Sequence, residues 1–423
     1  MRKSWLACLA LLALGACTHA TTTATVASAQ AVVAAAIPGP GLDGELGSTT
    51  LPADRDSVVV ARIAIDSHVD AHTPRPALNV ALCLDTSGSM EGKAIEDERA
   101  AALSVLDKIR PGDGFSLVTF DSTVHAVVSP MRVERSSDLG AIRAAIRAIR
   151  AQGTTDMEDG LRAAIQNVRA LYDATRVNRI VLVSDGVPND PSQLRALAQQ
   201  AQSSGVSISA MGLGLDYDEI LMGDLAQAGG GRFAYIDDSS KMAAYLDEEL
   251  TRISRVSARS ATLAIAPGPG VTVDGVIGLP AIPLGRGAVQ VNLGDVSLGS
   301  HRSVFVRLRA RGRRDGAAVE LADVSLRYYG SDGTSHEQHF FLGAHASASN
   351  DVVAKSRNEA VERGAVEAQK AADAIEAIRK AHESDRADVR PGGGTHAPSP
   401  VPMPAPSVTK REHAAAMQTL LGD

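Results

Sequence analysis

Leu78-Asn-Val-Ala-Leu-Cys-Leu-Asp-Thr-Ser-Gly-Ser-Met90 joins three signals in one short stretch. Leu78 to Leu84 is an almost continuous apolar run, the mark of a strand covered on both faces. Asp85, Ser87 and Ser89 then alternate through the following loop, where Gly88 permits a tight turn. A helical pattern begins near residue 93, with apolar Ala101, Leu103, Val105, Leu106 and Ile109 at three and four spacings. A strand therefore hands a row of oxygen-bearing side chains to the start of a helix. Open α/β sheets place their ligands beyond the carboxyl ends of such strands.

The same alternation continues to about residue 254. Further strands are expected at 115–120, 179–184, 206–212 and 232–236, with helices at about 93–109, 137–151, 157–173, 191–204, 218–228 and 239–253. Apolar strands between amphipathic helices imply an α/β domain over 77–254, with a doubly wound, mostly parallel sheet and right-handed crossovers. From about 255 to 346 the pattern changes to short alternating runs separated by turn signals such as Pro267-Gly-Pro-Gly270, which predicts an antiparallel β-sandwich. An early strand near 57–65 has no local partner. It is assigned with 53–76 to that sandwich, so the α/β domain is an insertion within it. One long amphipathic helix is expected over 347–386, with an apolar face including Val352, Val353, Ala360, Val361, Ala365, Ala372, Ile375 and Ile378. A Pro- and Gly-rich, disordered tail carrying a short terminal helix is expected over 387–423.

Two further stretches match the first in chemistry: Gly153-Thr-Thr-Asp156 and Ser184-Asp-Gly186. Both are expected where loops leave the carboxyl edge of the sheet. Asp85, Ser87, Ser89, Thr155 and Asp185 together offer two carboxylates and three hydroxyls. This oxygen set suits a hard divalent cation, Mg²⁺ or its substitutes Mn²⁺ and Ca²⁺. No Gly-x-Ser-x-Gly elbow and no phosphate-binding Gly-Lys-Ser/Thr loop accompanies it. His336-Glu-Gln-His339 has the wrong spacing for a zinc protease helix, which needs histidines at i and i+4. A binding module and not an enzyme is the expectation. Asp121, Asp156, Glu158, Asp159 and Asp190 crowd the region. The plainer reading is that they complement helix dipoles and solvate the surface. The sharper one is a negative rim selecting a partner with basic residues around its coordinating acid.

Asp-x-Ser-x-Ser at 85–89, the Thr155 loop and Asp185-Gly186 resemble the metal-ion-dependent adhesion site (MIDAS) of von Willebrand factor type A (VWA) domains. Met90, Gly160-Leu161, Met211-Gly-Leu-Gly214 and Ala228-Gly-Gly-Gly-Arg-Phe233 extend the resemblance over about 77–254. The wider layout is similar to bacterial secreted proteins related to calcium-activated chloride channel regulators and inter-alpha-trypsin inhibitor heavy chains. The resemblance implies a Rossmann-like VWA domain and all five metal ligands. It also implies a protein ligand that offers an acidic residue to the metal.

The amino terminus places this module. Arg2 and Lys3 precede a short apolar run that is too brief to span a bilayer. The run ends in Leu14-Gly-Ala-Cys17, which resembles the lipobox of bacterial lipoproteins. A signal peptide over 1–16 and lipidation of Cys17 follow from it, with the membrane reached through that lipid. Thr18, not Asp, would come next; the sorting rule known for enteric bacteria then implies the outer membrane, with a periplasm-facing membrane as the alternative within the cell envelope. Residues 17–52 are rich in Ala, Thr, Gly and Pro and read as a flexible tether with a reach of about 30 Å. The only other cysteine besides Cys8 is Cys83, in an apolar run, which excludes an intrachain disulfide in the processed protein. A net charge of -7 and only 3% aromatic residues argue against a nucleic-acid partner. The expected function is a lipid-anchored cell-envelope module that captures a protein ligand through its metal. The alternatives are a structural or assembly subunit whose metal only stabilises the fold, and a non-catalytic component of an envelope enzyme complex.

Overall fold

The chain begins with β1 (Gly41–Leu46), β2 (Thr50–Pro52) and β3 (Ser57–Asp66). The α/β part follows as β4 (Leu78–Asp85), α1 (Lys93–Leu106), β5 (Gly114–Phe120), β6 (Val124–Arg132), α2 (Leu139–Ala148) and α3 (Met157–Ala170). It continues through β7 (Val177–Ser184), α4 (Leu194–Ser203), β8 (Ser207–Leu213), α5 (Glu219–Ala228), β9 (Gly230–Ile236) and α6 (Met242–Ile253). Next come β10 (Val256–Pro267), β11 (Val271–Val276), β12 (Ala281–Gly285), β13 (Ala288–Ser297), β14 (His301–Ala310), β15 (Ala318–Tyr329) and β16 (Ser335–Ser347). Two helices, α7 (Asn350–Lys355) and α8 (Glu359–Asp388), close the sequence of elements. This computed structural model describes residues 39–68, 75–135, 139–214, 217–330 and 333–388. The expected signal peptide, Cys17, most of the tether and the tail beyond Asp388 lie outside the described residues.

The α/β sheet has the order β6-β5-β4-β7-β8-β9. Its strands β5, β4, β7, β8 and β9 are parallel, and β6 is an antiparallel edge. Every residue of β4, β5, β7 and β8 is buried, which is why these strands read as unbroken apolar runs. Along β4, Leu78, Val80, Leu82 and Leu84 face the core shared with α1 and α6, while Ala81 and Cys83 face the one shared with α3, α4 and α5. The doubly wound architecture is therefore as the sequence predicts. β6 is the strand that apolar pattern misses: only Val128 is buried along it, because an edge strand needs little apolar surface.

The second part is a sandwich of two sheets, β1-β3-β14-β11 and β12-β13-β10-β15-β16-β2. β3 pairs antiparallel with β14, Ile63 opposite Val304, so the early strand joins the later sandwich and the α/β part is inserted between β3 and β10. Two expectations need correction. The tether assigned to 17–52 does not extend that far, because residues 41–52 form strands. β1 pairs with β3 from Gly41↔Asp66 to Leu46↔Ala61, and Leu46 and Leu51 enter the sandwich core. Their alternation is masked by the glycines between them. The single helix expected over 347–386 is broken. Ser356 hydrogen-bonds back to Ser48 and Thr50, and Asn358 turns its side-chain oxygen onto the N–H groups of Ala360 and Val361, capping α8. Val352 is consequently exposed, while Val361, Ala365 and Ala368 pack on Ile277 and Phe305 of the sandwich.

A buried ionic network joins the two parts. Arg179 on β7 is fully buried and donates to Asp295 Oδ2 of β13 at 2.7 Å and to Ser209 Oγ of β8 at 2.9 Å. Its other carboxylate neighbour, Glu249 of α6, lies 3.7 Å away and accepts from Arg252 at 2.8 Å and from Ser209 at 2.6 Å. Burial alone would raise the Glu249 carboxyl, but Arg252 and Arg179 outweigh it and hold the group at about 2. The stability supplied by this ionisation is present above the ordinary carboxylate range and is lost as pH falls toward about 2. Removing the central cation leaves buried Asp295 without its ion-pair partner and leaves Glu249 with Arg252 alone. Arg179→Leu is expected to lower unfolding free energy by about 3–5 kcal/mol in urea titrations at pH 7, and a loss under about 1 kcal/mol would contradict the role given to the network.

Candidate metal centre

The chain leaves β4 outward to β5 and β6, then returns to place β7 on the other side of β4. The carboxyl ends of β4 and β7 thus flank a switch in strand order, where open α/β sheets form a crevice. Asp85 is the last residue of β4, Ser184 the last of β7, and Asp185 follows it. The two carboxylates come from loops a hundred residues apart in sequence only because these strands are neighbours, with Leu84 opposite Val183.

Asp85 is completely buried, and two hydrogen bonds aim its carboxylate. The Ser87 N–H donates to Oδ1 at 3.0 Å and Ser184 Oγ donates to Oδ2 at 2.5 Å. Ser87 Oγ lies 3.1 Å from Ser89 Oγ, and Ser89 Oγ donates to Asp185 Oδ1 at 2.8 Å. The third loop is stitched to the first: the Gly88 N–H donates to the Gly153 carbonyl at 3.0 Å, and the Gln152 N–H to that of Thr86 at 2.7 Å. It is stitched to the second by the Asn189 N–H on the Thr155 carbonyl at 3.1 Å. Gly153 has φ +72°, and a Cβ there would come within 2.5 Å of Ser122 Oγ, so only glycine lets this loop approach. A Cβ on Gly186 would stand 3.0 Å from Thr155 Oγ1 and 3.8 Å from Asp85 Oδ2. Thr155 and Asp85 therefore border one small space, kept clear by that glycine. The structure brings all five sequence-predicted residues together.

This space fits a hard cation. Six oxygens about 2.1 Å from Mg²⁺ place adjacent ligands about 3 Å apart. The Ser87–Ser89 and Ser89–Asp185 oxygen separations of 3.1 and 2.8 Å match that spacing. Among the described residues no group of three or more His, Cys, Asp or Glu side chains is placed to hold a metal, so hydroxyls must complete any such set. His336 and His339 lie on β16, where His336 stacks on Tyr328 and His339 faces Glu337. They sit on a strand, not on a zinc-binding helix.

The electrostatics favour a cation too. Burial raises the Asp85 carboxyl, and the nearby charge of Asp121 adds to this, while the hydrogen bonds from Ser184 and Ser87 oppose it. No motif points to Glu98 of α1. It is buried beside Ile95, Ala101 and Ala102, and neither of its carboxyl oxygens has a hydrogen-bond partner. Burial first, then the charges of Asp85 and Asp185, push it well above the usual carboxylate range. The one signal for it in the sequence is a Glu in register with the apolar face Ile95–Ala102–Val105.

The crowd of acids takes the plainer reading. Asp121 is buried and accepts from Thr123, His125 and Gln152, bonds that outweigh burial and keep its carboxyl below the usual range. Asp156 caps α3 by accepting from the Asp159 N–H, Glu158 and Asp159 pair with Arg162, and Asp190 accepts from the Ser192 N–H.

Residues 79–249 match the von Willebrand factor type A domain family, and the chain contains a type A domain. It is 27% identical over 278 residues to an uncharacterized protein of Synechocystis sp., covering 63% of this chain and 65% of that one. It is 29% identical over 253 residues to the uncharacterized protein YfbK of Escherichia coli, covering 56% and 43%. With human inter-alpha-trypsin inhibitor heavy chain H4 it shares 29% identity over 180 residues, 40% of this chain and 19% of that one. The chain thus spans less than two thirds of the length of each of these relatives. The solved structure of a von Willebrand factor type A protein from Catenulispora acidiphila superposes with a TM-score of 0.68 at 16% identity, covering 83% of both chains. The ArnB paralog VWA2 from Sulfolobus acidocaldarius gives 0.58 at 17% identity, covering 83% of this chain and 87% of that one. These likenesses show a shared fold, sandwich included.

Glu98 yields a test. A carboxyl kept protonated in the fold but free to ionise when unfolded costs stability as pH rises above the ordinary carboxylate range. In chelator, the stability of Glu98→Gln relative to the parent is expected to grow from pH 5 to pH 8 in urea titrations. A pH-independent difference would contradict this account of Glu98.

Proposed function

We propose that this chain is a lipid-anchored binding module of the cell envelope, whose type A domain captures a protein ligand through a divalent cation held by Asp85, Ser87, Ser89, Thr155 and Asp185. The observation that carries the reading is the convergence of these five oxygen-bearing side chains at the strand switch, with hydroxyl spacing suited to Mg²⁺. Type A domains are generally protein-interaction modules with a metal site. When bound, such an ion supplies electrostatic attraction for an anionic oxygen of the partner. The chain's own residues do the rest. Ser184 and the Ser87 amide orient Asp85, the Gly153 and Gly186 backbones let three loops meet, and Ser89, exposed to solvent, marks the side from which a partner's carboxylate arrives.

Anchoring through Cys17 rests on the apolar run and lipobox-like Leu14-Gly-Ala-Cys17. Among the described residues no helix is long and apolar enough to cross a membrane. In this reading the module turns nothing over. Asp85→Ala separates it from a metal with a purely structural role. Crosslinking from intact envelopes in Mg²⁺ is expected to lose partner recovery at least about tenfold in the variant, as it does with chelator, while thermal stability stays near that of the parent. Unchanged recovery with a lowered melting temperature would assign the metal to the fold alone.

A further inference from the structure

The rim of the site indicates what surrounds the partner's acid. This inference rests on the capture reading above. Val187, two residues beyond Asp185, is 50% exposed, although the Pro188 next to it is buried and fixes its loop. Beside Thr155 lies a set of exposed uncharged groups. The Thr154 N–H donates to Ser122 Oγ at 2.9 Å, Ser122 Oγ and Thr154 Oγ1 are 3.2 Å apart, and Asn189 Nδ2 donates to Thr154 Oγ1 at 3.4 Å. Most of the acids that would attract a basic partner are engaged: Asp121 is buried in its own hydrogen bonds, Asp156 caps α3, and Glu158 and Asp159 face Arg162, while exposed Asp190 accepts from the Ser192 N–H.

We infer that the site takes an acidic residue whose neighbours in the partner chain are uncharged, with an apolar side chain resting on Val187 and polar or backbone groups against Ser122, Thr154 and Asn189. A lysine beside the acid would be repelled by the bound dication and would leave Val187 uncovered. Selectivity here comes from one apolar contact and neutral hydrogen bonding, not from a charged rim.

The test uses the purified full chain and two labelled peptides read by fluorescence anisotropy: acetyl-Gly-Ser-Val-Glu-Leu-Ser-Gly and acetyl-Gly-Ser-Lys-Glu-Lys-Ser-Gly, each in Mg²⁺ and in chelator. The first is expected to bind at least about fivefold more tightly in Mg²⁺, from burial of apolar surface on Val187. Val187→Lys should erase that preference and Val187→Ile should keep it, both with the parent's melting temperature. Mg²⁺-dependent binding with equal affinity for the two peptides, or a preference for the lysine-flanked one, overturns this inference and leaves the capture reading standing. Binding of neither peptide, or binding indifferent to chelator, overturns the capture reading and this inference with it.

Discussion

A carboxylate buried at the end of the central strand has to be compensated, and the loops around Asp85 are arranged as that compensation. Water cannot reach it, so hydrogen bonds from Ser184 and Ser87 and a cation among neighbouring oxygens are what can keep it charged. Two neighbouring acids respond to the same crowding in opposite ways. Asp121 keeps its charge through three local partners, whereas Glu98, whose carboxyl oxygens have none, is pushed toward the neutral form. Of these two acids, only Asp121 adds to the negative charge of the region.

The same strands carry this constraint into the rest of the molecule. β7 ends in Ser184 at the site and holds Arg179 near its start, where Asp295 of the sandwich and Glu249 of α6 meet it. One strand thus connects the crevice at its carboxyl end with a buried ionic joint at the other. α8 adds a second tie between the two parts. Its Val361, Ala365 and Ala368 pack on the sandwich, and Ile375 packs against the core shared by α3, α4 and α5. A domain inserted into a sandwich at two points would otherwise be free to rock. Buried charge and an apolar helix hold it in place, so the site is presented from a firm base.

Much of this is legible in the residues because the physics is local. Buried parallel strands read as unbroken apolar runs, and side chains at strand ends must share one edge. Asp85, Ser87, Ser89, Thr155 and Asp185 can therefore be gathered from the order of residues alone. What escapes depends on partners distant in sequence. β1 and β2 look like tether because their glycines blur the alternation, and only pairing with β3 and β16 makes them strands. The α7–α8 break is dictated by Ser48 and Thr50, some three hundred residues away. The acids near the site can be counted in the sequence, but their commitments to Thr123, Gln152 and Arg162 cannot.

The central claim is that a divalent ion sits among these five side chains. A crystal of the soluble portion grown or soaked with Mn²⁺, a stand-in for Mg²⁺ with usable anomalous scattering, tests it most directly. The account predicts one anomalous peak bordered by Asp85, Ser87, Ser89, Thr155 and Asp185, and none in crystals of Asp85→Ala. A peak elsewhere in the chain, or no peak with these loops well ordered, would contradict it.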